Sequence, residues 1–286
     1  MGALVQYLIT GIGVGCAYAL TGSGLVAIYR VTRVVNFAQG GFAVIAALTA
    51  SSLLAAGLPH GAAETLAVAI ACLVGLLVGV VAVGKPGTTP QSALIVTLGL
   101  GVFAYAVEIL IWGDQPRSYG GIPGSVSVFG SRVQAHYLLI IGVTAVTLTA
   151  MALIFARTDV GKALTATAAN PYAARVVGIN VTAMGLLAFA IGGGLGGLAG
   201  VLVTPIQQVS FDSDVMLVVN GFSAAILGNL TRPTLTLAGG LVLGVVQALT
   251  AGYLSTSYQS EVALVFMLTI LIVQAGRQRA IQEEAT

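Results

Sequence analysis

Charge is what this sequence has least of: Asp, Glu, Lys and Arg make up 7% of its 286 residues, against 57% hydrophobic residues. Ordinary soluble domains carry about a quarter charged residues. The composition therefore excludes a water-soluble globular protein and predicts a polytopic membrane protein. Cysteine is nearly absent, and the two present, Cys16 and Cys72, sit in apolar runs where a buried free thiol acts as a small hydrophobe. The two histidines, His60 and His136, are far apart, in expected loops and without a Cys or carboxylate cluster beside them, so no metal centre is expected. There is no G-x-x-x-x-G-K-[ST] loop, which rules out ATP binding through that motif. The glycine-rich run 192–200 lies in an apolar span and follows no strand, so it is not a dinucleotide fingerprint. The net charge of +2 is spread over loops and does not point to nucleic acid. The N-terminus lacks a basic n-region and a small-x-small cleavage site, so no removed signal peptide is expected.

What the sequence does have is apolar runs of the length that crosses ~30 Å of hydrocarbon. They cover residues 4–29, 34–56, 64–83, 92–112, 137–155, 183–204, 215–230, 235–252 and 260–273, the seventh and the last being short. With nine crossings and the C-terminus inside, the inner loops hold Arg30, Arg33, Lys85, Arg157, Lys162, Arg175, Arg232, Arg277 and Arg279, and the outer loops hold only Arg117 and Arg132. Deleting any one crossing scatters the positive charge over both faces, against the positive-inside bias. The expectation is an all-α chain of about nine transmembrane helices, forming one membrane domain over residues 1–286 with its N-terminus outside and its C-terminus cytoplasmic. Residues 113–135 and 205–214 would then form outer surfaces, open either to an external partner or simply to solvent.

Within the spans, Gly192, Gly196 and Gly200 fall four apart and Gly193 with Gly197 forms a second ridge. Gly11 and Gly15, and Gly240 and Gly244, repeat the spacing, which lets helix backbones approach closely. Among the acids, Glu64 and Glu261 lie at the ends of runs, and Glu108 lies about one turn inside the fourth. An intramembrane carboxylate is a candidate proton or cation site, but that shallow depth favours an interfacial or helix-pairing role. The second run opens Val34-Val35-Asn36-Phe37-Ala38-Gln39-Gly40-Gly41. Asn36 and Gln39 share a face if the stretch is helical, with Gly40 and Gly41 loosening the backbone after them. Amides there need partners. They either bond a neighbouring helix or cap this one, or they lie with Phe37 on a translocation pathway.

The longest mixed-polarity stretch is 157–180, between the fifth and sixth runs, with Arg157, Lys162 and Arg175 and a single acid, Asp159. Its second half is punctuated as a short helix over 171–177: Asn170 caps, Pro171 suits the first turn, and Gly178 closes the end. Tyr172, Val176 and Val177 fall on one side with Arg175 at the edge. The sequence holds no soluble domain to cover that face, so it predicts a docking surface for a second protein, with a lead-in helix up to Ala169.

Taken together, Gly15-Cys-Ala-Tyr-Ala-Leu20, Gly24-Leu-Val-Ala-Ile-Tyr29, Val35-Asn-Phe-Ala-Gln-Gly40, Gly161-Lys-Ala-Leu164, Ala169-Asn-Pro-Tyr-Ala-Ala-Arg-Val-Val-Gly-Ile-Asn180, Ala225-Ile-Leu-Gly-Asn229 and Ala251-Gly-Tyr-Leu-Ser255 resemble the permease subunits of branched-chain amino acid ABC importers. The resemblance runs from about Leu8 to Val273 and implies a bacterial inner-membrane importer working by alternating access. The implied partners are a second homologous permease, two cytoplasmic ATPases that use ATP and Mg, and an extracytoplasmic substrate-binding protein. No cofactor would be bound by this chain, and ATP hydrolysis would lie elsewhere. It implies that 170–178 is the coupling helix that docks into an ATPase, and it makes Asn36, Phe37 and Gln39 candidates for the solute pathway. Gln39 stands where the family commonly has histidine, Tyr172 where an acid is frequent and Thr165 where an arginine is frequent. Two other classes fit an uncharged bundle: a stand-alone channel or secondary carrier for a neutral solute such as urea or an amide, and a membrane scaffold with no conduit.

Overall fold

Backbone N–H and C=O groups in a lipid environment must pair within the protein, which makes helices the default for runs this apolar. The computed structural model describes residues 2–85, 87–128 and 131–284, with the side chains of residues 128, 260 and 275–284 outside the described set. Eleven α-helices follow one another: α1 (Gly2–Thr32), α2 (Gln39–Ala55), α3 (Ala62–Val83), α4 (Pro90–Trp112), α5 (Ala135–Arg157), α6 (Asp159–Ala169), α7 (Pro171–Val176), α8 (Val181–Val203), α9 (Ser213–Leu227), α10 (Pro233–Tyr253) and α11 (Gln259–Glu284). Among the described residues, seven helices are long and apolar enough to cross a membrane, namely α1, α3, α4, α5, α8, α10 and the stretch Thr256–Gln274, which joins a short 3-10 turn (Thr256–Tyr258) to the first part of α11. α2 and α9 are apolar but shorter, at 17 and 15 residues.

The expected runs and the helices differ most at two places. The second helix begins at Gln39 rather than at residue 34, and residues 33–38 are not helical. The last helix runs well past residue 273, to Glu284. Arg277 and Arg279, expected on the inner tail, have side chains outside the described residues. The segment 113–135, expected as an irregular outer loop, ends in a small antiparallel hairpin of β1 (Ser125–Val128) and β2 (Ser131–Gln134). Four-residue Ser/Val alternations are too short to stand out in a sequence read for membrane runs.

α1 and α8 form the centre of the bundle. α8 is faced on one side by α1 and α2 and on another by α3, and its two glycine ridges divide that work. Gly192 meets Ile28 and the Gly24 carbonyl, Gly196 meets Gln39, and Gly200 lies against the backbone of Ala43. Gly193 and Gly197 instead face Ala71 and Gly75 on α3. α1 meets α10 in the same manner, with Gly11 and Gly15 against Gly244 and Gly240. A side chain at most of these positions would overlap a neighbouring backbone, so the ridges set the interhelical spacing. Large apolar side chains fill what remains, Leu20, Ile28, Phe42 and Phe189 being wholly buried.

Candidate functional site

The break ahead of α2 lies deep in the bundle. α1 ends with Arg33 in the left-handed region (φ 59°), an unusual backbone for a side chain bearing Cβ, and the chain then runs extended back into the protein. The Gln39 amide Nε2 donates to the Gly192 carbonyl at 2.9 Å. Gly192 is eleven residues into α8, about 16 Å along it at ~1.5 Å per residue. α2 therefore starts near the middle of a ~30 Å layer rather than at its edge.

Non-helical backbone at that depth is tolerated only where the protein satisfies it, and here side chains do so. Asn36 Oδ1 accepts from the Ala38 N–H at 3.1 Å, and its Nδ2 donates to Gln39 Oε1 at 3.4 Å. Thr97 on α4 accepts from the Phe37 N–H at 3.4 Å. Asn36 and Gln39 are wholly buried, whereas Phe37 is turned to the surface, with its ring 6.5 Å from that of Phe222 on α9. The structure thus separates three residues that the sequence grouped. The two amides hold the break together, and the aromatic ring is presented outward. Asn36 is not on a helix, so its pairing with Gln39 comes from a turn and not from a shared helical face.

Gly40 and Gly41 belong to the first turn of α2 and do not loosen it. Gly40 lies directly on the backbone of Asp214, in the first turn of α9, leaving no room for a Cβ. The N-cap residues Ala38 and Asp212 make no side-chain cap where the two helix N-termini meet; in α9 the Ser213 N–H instead donates to the Ser210 carbonyl at 3.0 Å and the Val215 N–H to Asp214 Oδ1 at 2.7 Å.

A second polar group was not legible in the sequence. Tyr18 donates to Gln247 Oε1 at 2.7 Å, and Gln247 Nε2 donates to Asn220 Oδ1 at 2.8 Å and to the Gln259 carbonyl at 3.0 Å, joining α1, α9, α10 and α11. Beside it, a cavity of about 460 Å³ is lined by Gln6, Tyr7, Tyr18, Gln207 and Gln247 among others. A lone amide in an apolar run, as Gln247 is, was the available signal.

The segments 113–135 and 205–214 are stitched together: the Arg117 N–H donates to the Val209 carbonyl and the Val209 N–H to the Arg117 carbonyl, each at 2.9 Å. His60 and His136, distant in sequence, line one cavity of about 630 Å³ with Glu64 and Tyr119. His136 lies on the first turn of α5 rather than in a loop, its Nε2 2.9 Å from the Leu202 carbonyl. Tyr119 donates to the Val201 carbonyl at 2.7 Å, and burial, with the Glu64 carboxylate nearby, holds its hydroxyl above the usual phenol range.

The stretch 157–180 forms two helices. Thr158 caps α6, accepting from the Gly161 N–H at 3.0 Å, and Asn170 caps α7, accepting from the Tyr172 and Ala173 N–H groups at 3.0 Å. Pro171 occupies the first position of α7, and Gly178, at φ 86°, allows the chain to leave it. Tyr172, Val176 and Val177 are 77%, 72% and 74% exposed, an apolar face that no other part of the described chain covers. Arg175 lies on the same helix, and Pro171 and Arg175 face Val31, Thr32 and Val34 across a cavity of about 240 Å³. The Arg33 guanidinium donates to the Ala168 carbonyl at 3.1 Å, tying the last turn of α6 to the root of the break. The Lys162–Asp159 pair, 3.1 Å apart and exposed, contributes little.

A family model described as branched-chain amino acid transport system / permease component matches residues 7–274. The high-affinity branched-chain amino acid transport system permease protein LivH of Salmonella typhimurium is 27% identical over 94% of this chain and 93% of its own. The ribose import permease protein RbsC of Haemophilus influenzae is 26% identical over 83% of this chain and 76% of its own. Among solved structures, PsaBC from Streptococcus pneumoniae in complex with Fab has the same fold, with a TM-score of 0.53 at 16% identity, covering 94% of this chain and 91% of that one.

Proposed function

We propose, for a chain that belongs to the branched-chain amino acid permease-component family, that it is the membrane-spanning subunit of an ATP-driven importer in the bacterial inner membrane. It moves branched-chain amino acids, or a related small polar or aromatic solute, into the cytoplasm by alternating access. The observation that carries this reading is the exposed Tyr172–Val176–Val177 face of a capped six-residue helix. About three apolar side chains left in water are worth covering, at roughly 1.5–3 kcal/mol each when fully buried. A cytoplasmic ATPase is the partner that gives such a helix a purpose. In the full assembly two ATPases, which use ATP and Mg, would bind two permease subunits, this one and a homologue, and a binding protein would deliver solute from outside.

The reading takes the nine apolar helices as nine crossings, with α2 and α9 as partial ones and the N-terminus outside, so that α6 and α7 face the cytoplasm. Discontinuous helices whose ends meet near the midplane are a recurring way to build a solute site, and the Phe37 surface lies at this one. ATPase movement would reach it through α7, the Val31–Val34 stretch across the cavity from α7, and the Arg33–Ala168 bond. Asn36 and Gln39 take part as the struts of the break.

The test is uptake of labelled leucine into proteoliposomes holding the purified complex, with its binding protein outside and ATP supplied to the ATPases. ATP-dependent uptake, lost in Arg175→Glu together with ATPase association, is expected. Uptake by this chain without ATPases would instead identify a channel or carrier.

A further inference from the structure

We propose that the groove between α1, α5 and α10 holds an acyl chain of an anionic phospholipid whose headgroup meets Arg30. The proposal goes beyond the importer reading and draws on it only for the choice of leaflet. The groove encloses about 620 Å³, and its walls are mostly apolar, from Ile12, Ile141 and Leu241 at one end to Phe155 and Pro233 at the other. Small side chains, Ala27, Ala145 and Ala152, leave the space that larger ones would fill. Cys16 and Arg30, both lining it, stand about 21 Å apart along α1 at ~1.5 Å per residue. That length covers the half-thickness of a ~30 Å hydrocarbon layer. Arg30, half-buried in the last turn of α1, is the one charged side chain among the lining residues.

Two more arginines stand at that end. Arg157 closes α5 two residues after Phe155, and Arg232 immediately precedes Pro233, the first residue of α10. The salt bridges among the described residues are His60–Glu64 and Lys162–Asp159, and neither involves these three arginines. Glu108 does not serve them. It is wholly buried on α4 beside Gly41 of α2, neither of its oxygens has a hydrogen-bond partner among the described residues, and α4 does not line the groove. Helix dipoles account for Arg30 and Arg157 at the C-terminal ends of α1 and α5, but Arg232 sits at the N-terminal end of α10, where the dipole favours an anion. The positive-inside bias puts arginines at this end of a span, yet it does not put a chain-length apolar groove beside one. A phosphodiester forms charge-assisted hydrogen bonds with guanidinium groups, and the acyl chain attached to it removes the apolar walls from water. Free phosphate leaves the groove empty, and a helix of a second permease would need an acid at the level of Arg30. A phospholipid carries both parts in one molecule. In the importer reading this end faces the cytoplasm, where anionic lipids bind basic pockets between spans.

The experiment uses the full chain purified in mild detergent, as wild type, Arg30→Gln and Ala152→Phe. Melting temperature is measured with added phosphatidylglycerol, with phosphatidylcholine of the same acyl chains, and with inorganic phosphate, while native mass spectrometry records the lipid retained. The expected result is stabilisation of the wild type by phosphatidylglycerol that neither phosphatidylcholine nor phosphate matches. Arg30→Gln should retain about tenfold less phosphatidylglycerol or lower still, with its retention of phosphatidylcholine unchanged. Ala152 is exposed, so Ala152→Phe fills the groove without disturbing the bundle, and it should lose both lipids. If Arg30→Gln melts below the wild type in detergent alone, Ala152→Phe decides. Equal effects of the two lipids overturn the site, as does phosphate acting as well as phosphatidylglycerol, or lipid retention unchanged in Ala152→Phe. So does a mass of two chains that Ala152→Phe reduces to one, which would make the groove an interface between permeases. None of these measurements involves ATP-driven uptake, so the importer reading stands or falls separately.

Discussion

Asn36 and Asn170 perform the same local chemistry in opposite surroundings. Each side-chain oxygen accepts the N–H two residues on, from Ala38 at 3.1 Å and from Tyr172 at 3.0 Å, and each stands at the opening of a helix. Around Asn36 every polar contact is made within the chain, and the neighbouring amide reaches a carbonyl 153 residues away. Around Asn170 the chain supplies the cap and nothing more, and the apolar side chains that follow stay exposed. A break whose buried amides are paired within the chain is a fixed part of the bundle. A helix capped by its own chain but with Tyr172, Val176 and Val177 left exposed has an apolar face that the described chain does not cover.

The largest effect that would break this contrast is expected at Gly40. Gly40→Val drives two methyl groups into the Asp214 backbone, where neither helix can yield, at a cost of about 3 kcal/mol or more. Size-exclusion chromatography of the detergent extract should show little folded permease, and normal recovery would mean that α2 and α9 do not touch there. A smaller loss is expected from Gln39→Leu, which leaves the Gly192 carbonyl and the Asn36 amide without their partner and costs about 1–3 kcal/mol. The readout is the melting temperature of the permease, and an unchanged value would remove Gln39 from the struts of the break. The smallest effect on the isolated chain belongs to the double variant Tyr172→Asp with Val176→Asp, within about 0.5 kcal/mol because both side chains are exposed. The same variant should weaken ATPase association roughly tenfold or more. A destabilised permease with unaltered ATPase binding would reverse the contrast drawn here.

The stretch 157–180 was the most legible part of the chain. Its capping residues, Asn170, Pro171 and Gly178, act through contacts one to three residues away, and the expected helix over 171–177 and the observed Pro171–Val176 agree to one residue. The break was the least legible. Val34 and Val35 prolong an apolar run, so a hydrophobicity reading extends the helix through them. What stops it is Thr97 accepting the Phe37 N–H and Asn36 accepting the Ala38 N–H, with Asn36 held by Gln39 and Gln39 by the Gly192 carbonyl, and Thr97 and Gly192 are far from the break in sequence. Glu108 was misjudged for a related reason. Depth was measured along its own helix, whereas its burial is set by the helices packed on it, with Gly41 of α2 beside its carboxyl tip.

The sequence by itself determined that the chain is a bundle of apolar helices, where glycine ridges allow close contact, and where a short capped helix carries an exposed apolar face. These follow from composition, length and local hydrogen bonding, quantities that a neighbour-by-neighbour reading can sum. Only the tertiary structure decided that α2 begins near mid-depth, that Asn36 and Gln39 face inward while Phe37 faces out, and that Glu108 stands unpaired beside two helix N-termini. In a lipid environment the cost of an unsatisfied polar group depends on what lies a few ångströms away across the bundle. That distance is set by how the helices pack and not by their order in the chain.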